Sequence, residues 1–75
     1  MDKYVMTPES KAAVKAASKK LEKQIGISIG SGFGFPESLN DKPQYFLIVW
    51  SDDDIEFPET FEGFTVVRRG IPVAH

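Results

Sequence analysis

The sequence predicts an α+β fold: one N-terminal helix packed on a small, mostly antiparallel sheet of three to four strands, in the order α-β-β-β-β. Three observations predict it. A stretch rich in Ala and Lys from residue 8 carries apolar residues at helical spacing. After residue 24 the apolar period changes from 3.6 to 2. Short apolar runs then follow, separated by polar segments rich in turn residues. The chain has 75 residues, which fits a single domain over 1–75.

The helix begins at Thr7-Pro8-Glu9. Thr7 can cap, Pro8 suits the first helical position, and Glu9 complements the helix dipole. At 100° per residue Ala13, Val14, Ala17 and Leu21 share one face. Lys11, Lys15, Lys19 and Glu22 occupy the opposite face. Lys19, Lys20 and Lys23 gather toward the C-terminal end, where cations are favoured. The helix is expected to end near Gln24.

The next element alternates. Ile25, Ile27, Ile29, Phe33 and Phe35 interleave with Gly26, Ser28, Gly30, Gly32 and Gly34. One long strand, bent or bulged at its glycines, would put three Ile and two Phe on one face. The other face would be almost bare backbone and open to close approach. Which of the two faces the helix covers is left open by the pattern.

Residues 36–43 (PESLNDKP) read as a polar loop. Residues 45–50 (YFLIVW) form a continuous apolar run, expected at the centre of the sheet and buried on both faces. Residues 51–63 (SDDDIEFPETFEG) read as an acidic connection pinned to the core by Phe57 and Phe61. A third strand is expected over 64–67. Arg68-Arg69-Gly70 fits a hairpin loop, with Gly70 free to take positive φ. Residues 71–74 would return as a short edge strand, because Pro72 cannot donate to a ladder.

Composition narrows the function. A chain of this size buries only about 60% of the surface that it exposes when unfolded, so its core is thin. It contains no cysteine, which rules out disulfides and Cys-type zinc sites. No apolar run is long enough to span a membrane, and residues 1–4 do not look like a secretory signal. A cytoplasmic location is expected. Net charge is −2 but unevenly spread: residues 1–24 carry +3 and residues 25–75 carry −5.

Catalytic constellations fail one by one. The single histidine is His75, in the last position, and a Ser-His-Asp arrangement needs one held by packing. The glycines at 26–34 do not match G-x-G-x-x-G: Phe35 and Glu37 stand where the third glycine is required. Gly-Lys-Ser/Thr is absent. In Asp52-Asp53-Asp54-Ile55-Glu56 a calcium-loop register would place Asp52, Asp54 and Glu56 at positions 1, 3 and 5. Phe57 then replaces the required Gly and Gly63 the required Glu. A weak divalent-cation site, or a small hydrolase built on these carboxylates, is one alternative. A solvated acidic loop is the ordinary reading. The lysines Lys11, Lys15, Lys19 and Lys23 offer a second alternative, nucleic-acid binding. This set lacks arginine, and the aromatics lie in apolar runs. The mostly alanine apolar face also makes the helix a poor membrane binder.

The succession IGISIGSGFG, YFLIVW and FPETFEGFTVV, with a Gly ahead of Ile71, resembles the short N-terminal sheet module of some bacterial proteins that carry a trypsin-like domain. The resemblance covers about two thirds of the chain and rests on glycines and apolar positions. It implies an accessory sheet module and transfers no functional residue.

The expected function is a small, stand-alone, non-catalytic protein-interaction or regulatory module, with a homodimer as one form that it could take. Its contact surface is expected at Ile71 and Val73 on an edge strand, or on the backbone face of Gly30, Gly32 and Gly34. Lys11, Lys15 and Lys19 are secondary contact candidates. No enzymatic activity, cofactor or resident metal is expected, and the partner is another protein rather than nucleic acid or membrane.

Overall fold

The computed structural model describes residues 3–36, 42–51 and 55–70. It is an α+β fold, with helix α1 (Pro8–Ile25) followed by four strands: β1 (Ile29–Gly34), β2 (Gln44–Trp50), β3 (Thr60–Phe61) and β4 (Phe64–Arg69). The strands form one mixed sheet in the order β1-β2-β4-β3.

The helix starts where the sequence places it. The Thr7 side chain accepts from the Ser10 amide at 3.1 Å, and Pro8 occupies the first turn. Its buried stripe is Ser10, Val14, Ala17 and Leu21. Their spacing of four, three and four residues is that of one helical face. The end differs from the expectation. Ile25 belongs to the helix, and Gly26 is its left-handed cap at φ 74°, with its amide donating to Glu22 O at 2.8 Å. The β period therefore does not start at Ile25, and β1 is shorter than the alternation suggested. Ile25 and Ile27 still pack against the core from the helix end and the following turn.

β1 and β2 pair antiparallel, with Ile29 opposite Val49, Ser31 opposite Leu47 and Phe33 opposite Tyr45. Tyr45, Leu47 and Val49 join Val14, Ala17, Leu21, Phe64 and Val66 in one buried cluster, with Ile29 and Phe33 packed against it. The helix thus covers the Ile/Phe face of β1. The Phe33 and Tyr45 rings meet edge to face, their centroids 5.0 Å apart.

The expected centre of the sheet is confirmed, since β2 lies between β1 and β4. Its partnership with β4 is parallel, with Leu47 opposite Val66 and Trp50 opposite Arg69. Arg68 and Arg69 are thus strand residues, which corrects the hairpin expected at Arg68-Arg69-Gly70. The hairpin lies earlier, between β3 and β4. Glu62 and Gly63 connect the paired Phe61 and Phe64 with φ of 54° and 82°. Two consecutive positive φ values in a two-residue loop are the signature of a type I′ turn. Among the described residues the fourth strand is β3, inside the acidic connection; the edge strand expected over 71–74 lies outside the described residues. Phe57 and Phe61 do pin that connection, both being packed against the core.

The segment before the helix is fastened as well. Lys3 O accepts from the Tyr45 amide at 2.8 Å, and Lys3 Nζ donates to Gly63 O at 3.1 Å. No described helix is long and apolar enough to cross a membrane.

Candidate functional site

The backbone groups of β1 divide between its two sides, and the register shows how. The Trp50 amide donates to Ser28 O, across the same antiparallel pairing that sets Ile29 opposite Val49. In an antiparallel ladder, residues that exchange hydrogen bonds alternate with residues that do not. The bonded positions of β1 are therefore Gly30, Gly32 and Gly34. Ile29, Ser31 and Phe33 direct their N–H and C=O groups away from β2. The Tyr45 amide agrees with this phase: opposite Phe33, it turns from β1 and donates to Lys3 O.

Among the described residues nothing donates to or accepts from the outward groups of Ile29, Ser31 and Phe33. Ser31 is exposed, and Ile29 and Phe33 are half-buried. The edge carries no charged residue, no proline and no bulge, the devices that commonly guard an edge strand. The other side of the sheet is different. There β3 covers the start of β4, and the Val66 amide donates to Glu59 O at 2.9 Å.

The glycine face of β1 is occupied from within. A β-carbon on Gly30 would stand 2.5 Å from the Trp50 indole Nε1, and one on Gly32 would stand 3.4 Å from Phe46 Cζ. Cross-strand aromatic side chains thus fill the space that glycine leaves. Gly34, at φ 156°, has open space where a β-carbon would stand. On the same face Thr65 Oγ1 donates to Gln44 Oε1 at 3.3 Å, and Arg69 Nη2 reaches Pro36 O at 3.0 Å. An open cleft of about 390 Å³ lies beside β4, lined by Pro36, Phe57, Glu59, Val66, Val67, Arg68 and Arg69. Arg69 is tied to Pro36, so its guanidinium helps to hold the cleft wall.

Lys11, Lys15 and Lys19 are exposed on the helix, away from its buried stripe. Lys20 is the helix lysine paired with the sheet region, at 3.3 Å from Glu62 Oε1. Both partners are largely exposed, which makes this a weak contact. Glu56 is exposed, while Asp52, Asp54, Ile71, Val73 and His75 lie outside the described residues. Among the described residues no group of three or more His, Asp or Glu could hold a metal ion.

Among the described residues, the glycine face of β1 and the lysine row of the helix lie on opposite sides of the sheet, because the helix covers the Ile/Phe face. The β1 edge escapes a reading of the sequence because alternation gives which face a side chain takes. It does not give the hydrogen-bonding phase or the position of a strand in the sheet.

No protein-family model, curated protein or solved structure matches the chain.

Proposed function

We propose that this chain is a non-catalytic protein-association module that acts by adding an extended strand to the β1 edge. The observation that carries this reading is the row of outward backbone groups at Ile29, Ser31 and Phe33, which have no partner among the described residues. Strand addition uses main-chain hydrogen bonds for affinity and alternate side chains for specificity. Here the alternate positions are Ile29 and Phe33 on the helix-covered face, with glycines between them. The accessory sheet module implied by the sequence resemblance fits such a role, as does the expectation that the chain is not an enzyme. The cytoplasmic assignment belongs to the same reading.

A Ser31→Pro substitution tests it cleanly. Proline removes the outward N–H of residue 31 and leaves the β1–β2 bonds at Gly30 and Gly32 intact. A partner retained by the native chain should be lost by Ser31→Pro and kept by Lys11→Ala/Lys15→Ala/Lys19→Ala. Binding that survives Ser31→Pro overturns the reading. Binding to RNA or DNA that needs the three lysines and vanishes with salt would replace it by the nucleic-acid alternative.

A further inference from the structure

We infer that the strand added at this edge is β1 of a second copy of the same chain, running antiparallel with Ser31 opposite Ser31 of that copy. The inference rests on the association reading above and supplies its partner. Its basis is the self-complementarity of the edge. Ile29 and Phe33 stand symmetrically about Ser31, and these three residues carry the outward groups. A two-fold axis through Ser31 sets Ile29 of one copy opposite Phe33 of the other, twice. All three positions then become hydrogen-bonded pairs.

The side chains allow the approach. β1 has no charge along its length, so two copies meet without repulsion. On the helix-covered face the new neighbours are Ile and Phe, a favourable β-branched and aromatic cross-strand pair. Both side chains are half-buried in one copy and would be covered further. On the other face Gly30 meets Gly32 of the second copy. Two strips of glycine leave no side chain to clash there. Trp50 and Phe46 of each copy border the strip, since they already lie over these glycines. Joining the sheets would also enlarge a core that is thin for a chain of 75 residues.

Sedimentation equilibrium and single-cysteine cross-linking test the inference, and the cysteine-free sequence makes the second test unambiguous. Cα atoms in a hydrogen-bonded antiparallel pair lie about 5.5 Å apart, within the range that a disulfide spans. The full chain carrying Ser31→Cys should form a covalent dimer under mild oxidation. A chain carrying Ser28→Cys should not, because residue 28 would face residue 34 of the second copy. Ser31→Pro should weaken the native dimer about tenfold or more. Ser31→Lys, which keeps the amide and adds like charges across the axis, should weaken it as well. A native chain that stays monomeric at all concentrations overturns the inference, and so does equal cross-linking at 28 and 31. If a foreign protein is then still bound and lost with Ser31→Pro, the association reading stands without the second copy. If that binding survives Ser31→Pro, the reading itself falls.

Discussion

The indole of Trp50 lies over Gly30, close enough that a β-carbon at residue 30 would stand 2.5 Å from its Nε1. Gly30 is paired with Ile48, so Trp50 reaches it diagonally, from two residues further along β2. Phe46 takes the directly opposite place over Gly32. Gly30 is thus a packing requirement of the strand beside it. Without room at residue 30 the Trp50 indole would have to shift, whereas a β-carbon on Gly32 would meet Phe46 at ordinary contact distance.

Gly30→Ala should therefore displace the indole. Removing a glycine narrows the unfolded ensemble and stabilises by about 0.4–1 kcal/mol where the site is compatible. Overpacking costs about 1–3 kcal/mol, so the net effect is destabilising. Urea unfolding should show a lower midpoint, and Trp50 fluorescence in the folded state should shift. An unchanged emission spectrum would mean that the indole is not held against residue 30.

The β3–β4 turn predicts a change of opposite sign. Glu62 adopts φ 54°, a left-handed conformation that costs a non-glycine residue about 1–2 kcal/mol. Asn tolerates it better and is favoured at the first central position of a type I′ turn. Glu62→Asn should stabilise the chain by about 0.5–1 kcal/mol. The lost Lys20 contact offsets only a few tenths, because both groups are exposed. The check is a higher urea midpoint at unchanged m-value.

The core and the lysine face should respond very differently. Leu21, on the buried face of the helix, is fully buried, and Leu21→Ala should cost about 2–5 kcal/mol. A single core of this size supplies about 3–5 kcal/mol in all. Circular dichroism at 25 °C should therefore show a chain that is largely unfolded. Lys15→Ala, on the exposed face, should stay within about 0.5 kcal/mol of the native chain.

Local signals made much of this fold readable. Thr7 and Pro8 mark the helix start through capping chemistry, and Val14, Ala17 and Leu21 mark its buried face through period. The apolar run over 45–50 announces a central strand because both faces of β2 need cover. The failures share a cause. Ile25 fits both periods, and only the left-handed cap at Gly26 assigns it to the helix. Glu62 hides a type I′ turn because Glu is a poor residue for positive φ, so the turn forms against local preference. The parallel pairing of β2 with β4 is a long-range choice with no short-range mark, and it draws Arg68 and Arg69 into the sheet. The β1 edge depends on strand order and bonding phase together, and neither is written in the composition of IGSGFG.

Amide hydrogen exchange of β1, followed residue by residue as protein concentration rises, tests the central claim most directly. In dilute protein the amides of Ile29, Ser31 and Phe33 should exchange quickly, while those of Gly30 and Gly32 are protected by Ile48 and Phe46 of β2. As the chain associates, the first three should become protected together and the glycines should change little. Association that leaves the amides of Ile29, Ser31 and Phe33 exchanging as before would contradict the account and move the contact surface elsewhere.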